Sequence, residues 1–510
     1  MTGTTHSVPY SLPHSLPHPA AEPRNVIVVG AGPTGLLLAG DLAAAGVDVT
    51  LVEKRPHTVS NLSRAFAVHA RTLEQLDARG LADELEAIGR PVGRARLFGG
   101  FTLRFDAVPS RFRHVLVIPQ YEVEAVLERR AAGAGVRFRY ETEVTGLVQD
   151  ADAVTVRVTG PGGEREELTA AYVVGADGHR SAVREAVGLP FPGRSVIRSV
   201  VLADVLLDEA PADTLSAHAT GDAFALLIPF GDGYHRVIGW DRGRDVPDSE
   251  PLALDEVRAV VRLAAGHDYG MHDARWMSRF HSDERQVPEY RAGRVLLAGD
   301  AAHVHSPAGG LGLNTGLQDA ANLSWKLAAV VGGHADPDLL DTYHAERHPV
   351  GRSVLRISGG LLRLAMARRP WTLTLRAALP PLLTRIGPVR ARVLGRITAV
   401  GYRYAAPRGS HRLAGARVPD VALKGGRLYE ALRGGRFVLI VPREPSAALS
   451  PGRLEHLGDR LTVERWASAR RTTVLVRPDG YVAWATDDDK ADAETVEAAL
   501  RAAGGRRGAA

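Results

Sequence analysis

Closely spaced glycines and acidic residues at strand ends are the residues in this chain best suited to chemistry. Gly30, Gly32 and Gly35 follow the apolar run Val26 to Val29 in a G-x-G-x-x-G spacing. The first glycine suits a tight turn, the second lets backbone approach a pyrophosphate, and the third packs a helix against the strand. The N-terminus of that helix presents free N–H groups to an anion.

Glu53 completes this pattern. A helix predicted to about Ala45 and a second strand, Val49 to Val52, lead to this carboxylate. A carboxylate at this distance from the glycines can accept hydrogen bonds from ribose hydroxyls. The stretch therefore predicts a dinucleotide site, although it fits FAD and NAD(P) equally well.

Two aspartates leave other predicted strands at their carboxyl ends. Asp177 and Gly178 follow the strand from Tyr172, and Asp300 follows the strand from Arg294. Open α/β sheets bind ligands outside the carboxyl ends of their strands, where Asp300 could accept a hydroxyl of a second sugar or a ribityl chain. The alternative for each aspartate alone is a turn that caps its own backbone.

The loop PAGGLGLN, Pro307 to Asn314, precedes a helix predicted to about Val331. Its glycines let N–H groups point at a ligand, and the helix adds the positive end of its dipole. That charge suits a group that becomes anionic, such as the N1–C2=O edge of a reduced flavin. A plain flexible loop is the alternative.

Two histidines lie beside this loop. His303 is expected either to pack beneath it or to act in catalysis, and His305 is also well placed. The His-x-His spacing has no third ligand positioned with it, so no metal site is predicted.

Composition excludes several classes of protein. The 510 residues are 45% hydrophobic and 24% charged, with a net charge of +5, which argues against a dedicated nucleic-acid binder. The absence of cysteine excludes disulfides, thiolate metal sites and CxxC redox chemistry. Residues 1–24 lack the pattern of a signal peptide and are expected to be a disordered tail. We expect no integral membrane segment and a cytoplasmic location.

Alternating patterns predict further elements. Three strands between Val136 and Thr159 are expected to form a β-meander, and residues from about Ser195 to Trp276 a mostly antiparallel sheet interrupted by a helix, Leu254 to Ala265. Arg347 to Pro419 contains 15 Arg and no acidic residue. Residues from about 405 onward predict a small α/β domain.

Taken together, the motifs resemble those of single-component FAD-dependent aromatic hydroxylases with the fold of para-hydroxybenzoate hydroxylase. Four segments are similar to the polyketide hydroxylases and rifampicin monooxygenases of actinomycetes: SRAFAVHARTLEQLDARG, VIPQYEVEAVL, GHDYGMHDARWMSRF and DTYHAERHPVG. VALKGGRLYEALRGG and VRPDGYVAW resemble their C-terminal thioredoxin-like domain, which has no redox cysteine pair. The likeness covers about 25–355 and 405–490.

This resemblance implies an α/β fold: a doubly wound, glutathione-reductase-like Rossmann domain that binds FAD, an inserted antiparallel-sheet substrate domain, and a C-terminal thioredoxin-like domain. The expected boundaries are 25–194 and 286–355 for the FAD-binding domain, 195–285 for the substrate-binding sheet, 356–404 for an Arg-rich helical segment, and 405–510 for the thioredoxin-like domain without redox cysteines.

The resemblance also assigns residues to FAD. The expected contacts are Gly30, Gly32, Thr34 and Gly35 at the pyrophosphate; Glu53, with Lys54 beside it, at the adenosine ribose; Arg64 and Gln120 toward the pyrophosphate and ribityl chain; Val144 at adenine; Asp300 at the ribityl side; and Pro307, Gly310, Gly312, Leu313 and Asn314 at the isoalloxazine. Asp177 and Arg184 belong to the motif linked to both FAD and NADPH. With no second glycine fingerprint, NADPH (or NADH) is expected as a co-substrate without a domain of its own.

The implied reaction is a hydroxylation. NAD(P)H reduces FAD, O2 adds at C4a, and the C4a-hydroperoxyflavin delivers oxygen to an aromatic, phenolic or polyketide-like small molecule. Baeyer–Villiger oxygenation of a polyketide ketone, an FAD dehydrogenase without oxygen transfer, and a non-enzymatic flavoprotein scaffold are the alternatives.

No catalytic residue is identified from sequence. The loop candidates are Pro307, Gly310 and His303, and the candidates in the sheet domain for favouring the phenolate are Tyr234, His235, Arg198 and His218, each with a structural role as the alternative. For residues 347–419 the hypotheses are a solvated face or homodimer contact, a mobile lid over a bulky substrate, and a surface for an anionic partner.

Overall fold

The computed structural model describes residues 24–58, 65–97, 101–211, 215–230, 232–369, 371–372, 374, 386–445, 449, 451–458, 460–487 and 491–504. The predicted mixed α/β class is confirmed. The expected tail at 1–24 lies, apart from Arg24, outside the described residues.

A mainly parallel sheet forms the centre of the molecule. Its strands, in spatial order, are β18 (Arg291–Ala292), β19 (Val295–Leu297), β12 (Tyr172–Gly175), β1 (Asn25–Val29), β2 (Asp48–Val52) and β8 (Arg137–Arg139). Only the β18–β19 pair is antiparallel within this sheet. The apolar runs of β1, β12 and β19 are almost fully buried, as expected for parallel strands covered on both faces.

Helices cover this sheet. Helix α1 (Pro33–Ala44) packs against α4 (Gln120–Gly133) and α7 (Gly312–Val331). Proline at the first position of α1 suits a helix start, because its missing N–H would have no partner there. Helices α2 (Ala70–Asp77), α3 (Ala82–Ile88) and α5 (Ala182–Ala186) are shorter. Every residue of α2 is buried.

The meander contains a different set of strands from the one predicted. Its strands are β9 (Glu143–Gln149), β10 (Val154–Thr159) and β11 (Arg165–Ala170), paired antiparallel. The strand expected at Val136 to Tyr140 instead pairs parallel with β2. The strand β11 was missed because its sequence, REELTA, is largely charged and exposed on the sheet edge.

A large, mostly antiparallel sheet lies beside the central one. Its order is β20 (His303–Val304), β17 (Met271–Gln286), β13 (Gly193–Leu207), β16 (His235–Asp241), β15 (Ala223–Pro229), β14 (Leu215–Ala219), β5 (Arg94–Leu97) and β6 (Phe101–Arg104). Helix α6 (Leu254–Ala265) has the predicted bounds and ends at Gly266, whose φ is +90°. The sheet therefore takes strands from outside residues 195–285, which local patterns did not reveal.

Smaller elements complete the first part of the chain. Strands β3 (Ala67–Val68), β7 (Val115–Val117) and β4 (Arg90–Val92) form a short antiparallel sheet. Single 3₁₀ turns cover Gly299–Ala301 and Pro337–Leu340. The long helix α8 (Asp341–Ala365) continues through Pro349.

The Arg-rich segment is helical over only part of its described residues, and residues 398–419 contain no helix. Helix α8 extends to Ala365, and α9 (Gly387–Ile397) begins at the predicted Gly387-Pro388 break. The other expected breaks, Pro370 and Pro380-Pro381, lie outside the described residues.

The C-terminal part is a compact α/β unit. Its sheet contains β24 (Leu461–Arg465), β23 (Phe437–Val441), β25 (Thr473–Val476) and β26 (Val482–Thr486) in that order. The remaining elements are β21 (Ala422–Leu423), β22 (Gly426–Arg427), α10 (Leu428–Ala431), α11 (Pro451–Leu454), α12 (Ala493–Gly504) and 3₁₀ turns at Leu432–Gly434 and Glu455–Leu457. The bounds of β23 and β25 match those predicted.

Buried ion pairs attach this unit to the rest of the chain. Both Glu346 oxygens accept hydrogen bonds from Arg477, and Nζ of Lys326 lies 2.7 Å from Oε2 of Glu346. The carboxylate of Asp77 on α2 likewise accepts hydrogen bonds from Arg427 and Arg433 of the C-terminal unit. Helices α2, α7 and α8 are thus fixed to the C-terminal unit by charge as well as by packing.

No helix in the described part of the chain is long and apolar enough to cross a membrane.

Replacing Glu346 with Gln should destabilise the fold, because it leaves Lys326 buried without its ion-pair partner and leaves Arg477 paired with Asp479 alone. We expect the free energy of unfolding to fall by about 3 kcal/mol, measured by urea unfolding. The control Glu84→Gln removes an exposed pair with Arg129 and should change this value by less than about 1 kcal/mol. Equal effects of the two substitutions would contradict the role given to Glu346.

Candidate functional site

The predicted nucleotide motifs converge at one edge of the central sheet. Strands β19, β12, β1 and β2 are parallel neighbours, so their carboxyl ends lie side by side. Asp300, Asp177, Gly30 and Glu53 leave these strands within a few residues of their ends. Residues far apart in sequence therefore line a single cleft.

This cleft has a volume of about 840 Å³. Residues from the start of α1 and from the start of α7 line it. The predicted FAD contacts that line it are Gly30, Gly32, Thr34, Glu53, Lys54, Gln120, Val144, Asp177, Asp300, Pro307, Gly310, Gly312 and Leu313. Its volume and its lining suit a dinucleotide.

The three fingerprint glycines have distinct environments. Gly30 has φ +106°, and a Cβ there would lie 2.4 Å from the carbonyl oxygen of Ala176. A Cβ at Gly35 would lie 1.9 Å from the carbonyl oxygen of Gly30, so this glycine packs α1 against β1 and does not line the cleft. A Cβ at Gly32 would meet no atom within 4 Å. The open side of Gly32 is thus the place where a pyrophosphate could approach the backbone.

Glu53 is held from two sides. Its Oε2 accepts a hydrogen bond from the backbone of Ala31 at 2.7 Å, and its Oε1 accepts from the backbone and side chain of Arg55. Burial alone would raise the pKa of Glu53, but these hydrogen bonds hold it below its usual value. The carboxylate is therefore ionised and oriented beside the glycine turn. Lys54 next to it is exposed.

Asp177 lies in the cleft, whereas Arg184 does not. Oδ2 of Asp177 accepts from the backbone of Val183, and its buried Oδ1 has no partner. Burial raises the pKa of Asp177 above its usual value. Arg184 is buried behind this turn and donates to the carbonyl oxygens of His179 and Ala301. Arg184 therefore joins the turn after β12 to the turn after β19.

Thr34 and Gln120 support neighbouring backbone as well as lining the cleft. The hydroxyl of Thr34 lies where a Cβ at Gly299 or Gly316 would collide with it, so α1, α7 and the turn after β19 approach closely there. Oε1 of Gln120 accepts from the backbone of Ala65 at 3.3 Å. The predicted contact Arg64 lies outside the described residues.

The glycine-rich loop is anchored by a buried amide. Nδ2 of Asn314 donates to the carbonyl oxygens of Ala67 and Gly310, both at 2.8 Å, and its Oδ1 accepts from the backbone of His69. Asn314 does not line the cleft. It instead holds the loop that carries Pro307 and Gly310 against the segment before α2.

His303 belongs to a buried network beneath the loop. Its Nε2 lies 2.6 Å from Oδ2 of Asp319, whose Oδ1 accepts from Arg347 at 2.7 Å. Arg347 also donates to the carbonyl oxygen of Thr315 on α7. His303 is 1% exposed and does not line the cleft. Its position favours the packing alternative over the catalytic one.

His305 differs from His303 because it lines the cleft. Its Nδ1–H donates to the carbonyl oxygen of Ser306, and Nε2 has no partner. Burial, together with the neighbouring His303, lowers the pKa of His305 to about 4. The ring is therefore neutral at neutral pH.

An apolar pocket of about 140 Å³, not identified from sequence, adjoins the same loop. Ser306 and Pro307 line both cavities. Residues from the large sheet and from helices α8 and α9 supply most of the wall; among them are Ala217, Phe224, Leu226, Ile238, Leu361, Leu362, Ala365 and Ile397. Apolar alternation in the strands was the available signal, but it could not show which segments meet.

The candidates in the sheet domain lie elsewhere. Tyr234, His235, Arg198 and His218 line neither of these two cavities. His218 instead lies 3.2 Å from the hydroxyl of Tyr269. Within the described residues no group of His, Cys, Asp and Glu side chains could hold a metal ion.

Two protein-family models match the chain. One describes an FAD binding domain and covers residues 24–358, and the other describes the C-terminal part of aromatic-ring hydroxylases and covers residues 411–506. A rifampicin monooxygenase from Streptomyces venezuelae is 39% identical, over 91% of this chain and 96% of its own.

Two further proteins are similar over most of their length. The 12-dehydrotetracycline 5-monooxygenase/anhydrotetracycline 6-monooxygenase of Streptomyces rimosus subsp. rimosus is 39% identical, over 90% of this chain and 95% of its own. The solved structure of an anhydrotetracycline hydroxylase from Streptomyces rimosus is 37% identical, with a TM-score of 0.80 over 95% of this chain and 99% of that chain.

Replacing Gly32 with Ala should block cofactor binding without disturbing the fold, since the added methyl group meets no protein atom. We expect the affinity for FAD to fall at least about tenfold while the urea unfolding midpoint stays unchanged. The control Gly133→Ala also adds a methyl group in open space, but away from the cleft. Unchanged FAD affinity in Gly32→Ala would count against the pyrophosphate position.

Proposed function

The chain belongs to the FAD-dependent aromatic-ring hydroxylases, and we propose that it hydroxylates a phenolic or polyketide-like ring bound in the apolar pocket. The observation that supports this is the shared wall of the two cavities. Ser306 and Pro307 face both the cleft that suits FAD and the apolar pocket. A ring in that pocket would lie directly beside the loop expected to carry the isoalloxazine.

Several predictions from sequence are confirmed. The protein is a flavin-dependent monooxygenase with FAD as cofactor and NAD(P)H as co-substrate. The predicted resemblance to polyketide hydroxylases and rifampicin monooxygenases is also confirmed.

The residues present fit FAD. The open backbone at Gly32 and the N-terminus of α1 would hold the pyrophosphate, Glu53 the adenosine ribose, and Asp300 the ribityl side. The start of α7, at Gly312 and Leu313, would place partial positive charge beside the pyrimidine edge of the flavin. When bound, FAD supplies the redox and oxygen-transfer chemistry of the family.

The chain itself supplies binding, orientation and exclusion of water. The apolar wall of the pocket has few polar atoms, so a ring held there is removed from solvent. Asn314 fixes the loop that lines both cavities. The network of His303, Asp319 and Arg347 connects His303 before this loop with Thr315 after it.

We propose that the domains follow the boundaries expected from sequence, except that the large sheet also takes β5, β6 and β20 from outside residues 195–285. The parallel sheet with its Gly30 turn supports a glutathione-reductase-like Rossmann domain at 25–194 and 286–355. The order of β24, β23, β25 and β26 supports a thioredoxin-like domain at 405–510, and its ion pairs with Asp77 and Glu346 support a structural role. A cytoplasmic location and a homodimer remain predictions.

The lid hypothesis for the Arg-rich segment gains support from the pocket wall. Leu361, Leu362 and Ala365 at the end of α8 and Ile397 on α9 line the pocket. Arg242 donates a hydrogen bond to the carbonyl oxygen of Met366 and attaches the end of α8 to the large sheet, which supports a cover over the pocket but opposes its mobility. An anionic partner for residues 347–419 remains a prediction.

The reaction can be tested with purified protein. We expect a yellow flavoprotein in which aromatic polyketides or phenols stimulate NADPH oxidation, O2 uptake matches it, and the product is one oxygen atom heavier. An absence of O2 uptake would indicate the dehydrogenase alternative. A product with oxygen inserted into a carbon–carbon bond would indicate Baeyer–Villiger chemistry.

Filling the pocket should abolish the stimulation of NADPH oxidation by an aromatic substrate. Ala217→Phe places an aromatic ring inside the pocket, so substrate-stimulated NADPH oxidation should fall at least about tenfold while FAD affinity is retained. Ala132→Phe, on the exposed face of α4, is the control and should leave stimulation intact. Normal stimulation in Ala217→Phe would place the substrate elsewhere.

A further inference from the structure

The apolar pocket has a single titratable residue among the described residues that line it. That residue is His69, which is 3% exposed, and Ser306 is the other lining residue with a polar side chain. The remaining lining residues have no side chain that can hydrogen bond. A ligand hydroxyl in this pocket therefore has very few partners.

Hydrogen bonding determines the tautomer of His69. Its Nε2 lies 2.9 Å from the carbonyl oxygen of Gly309, and because a carbonyl only accepts, the proton must be on Nε2. Nδ1 then has a free lone pair, and it is buried without a hydrogen-bond partner. Burial lowers the pKa of His69 and outweighs the opposing effect of its hydrogen bonds to the Gly309 and Gly310 backbone. The lowered pKa favours the neutral ring. Buried polar atoms in proteins nearly always have a partner, so this acceptor suits a donor from a ligand.

We propose that Nδ1 of His69 accepts a hydrogen bond from a hydroxyl group of the aromatic substrate and so orients the ring. The proposal rests on the proposed function, because it takes the apolar pocket as the substrate site. The backbone N–H of His69 donates to Asn314 at 2.8 Å, and its ring donates to Gly309. The residue is thus fixed at both ends to the loop beside the cofactor cleft, and a hydroxyl bound to Nδ1 would be placed relative to that loop.

Two variants separate the acceptor from the loop contact. His69→Asn places an amide oxygen near the position of Nδ1 but loses the donor to Gly309. His69→Gln places an amide N–H near the position of Nε2 but loses the acceptor. Both probes are small aromatic rings that differ only in a donor: 1-naphthol has a hydroxyl, and 1-methoxynaphthalene does not.

Binding of both probes to the FAD-loaded enzyme is followed by changes in flavin absorbance. We expect the wild type to bind 1-naphthol about tenfold more tightly than 1-methoxynaphthalene, which corresponds to about 1.4 kcal/mol. His69→Asn should keep this preference, and His69→Gln should lose it. FAD affinity measured in parallel shows whether each variant retains its fold.

Several outcomes would overturn the proposal. One is a wild type that binds neither probe or binds both equally, and another is a His69→Gln variant that keeps the preference. If both variants lost the preference for 1-naphthol equally, or if His69→Asn alone lost it, the preference would depend on the contact with Gly309 and not on the acceptor. In each case, a product of another ring that is one oxygen atom heavier, formed with O2 uptake matched to NADPH oxidation, would leave the monooxygenase function intact.

A second measurement needs no variant. The absorption band of 1-naphthol bound to the wild type should lie to the red of its band in cyclohexane, because the bound hydroxyl donates a hydrogen bond. An unshifted band would also overturn the proposal.

Discussion

The parallel pairing of β1, β12 and β19 is the constraint on which the rest of the structure depends. Val28 pairs with Val174, and Val174 with Leu296, so the three strands end together although they are distant in sequence. Their side chains are buried on both faces, and the hydrophobic effect therefore opposes any change of register. Because the strands end together, the three turns that follow them form one cleft.

Irregular backbone at this edge needs its own support. The loop from Ser306 to Leu311 lies between β20 and α7. Asn314 donates to the carbonyl oxygen of Gly310 in this loop and to that of Ala67 beside it. Below it, Asp319 accepts from both His303 and Arg347. Burial alone would raise the pKa of Asp319, but these two partners hold it below its usual value. The opposite charges of Asp319 and Arg347 are paired, so this network leaves no buried charge uncompensated.

The same loop links the remaining parts of the molecule. Strand β20 just before it pairs with the end of β17, which joins the cofactor cleft to the large sheet. Helix α2, which starts next to His69, donates from Gln75 to the backbone of Asp479 in the C-terminal unit. Cofactor cleft, apolar pocket and C-terminal unit therefore meet around one short segment.

The sequence by itself determined the elements whose signals are local. The Gly30 turn, the bounds of α6, and strands β23 and β25 follow from glycine spacing, amphipathic periodicity and continuous apolar runs, which act between near neighbours. Only the tertiary structure decided that Arg184 supports the cleft from behind, that His303 is buried, and that an apolar pocket exists. That pocket combines strands, a loop and two helices, and long-range packing of this kind leaves no pattern in any single segment.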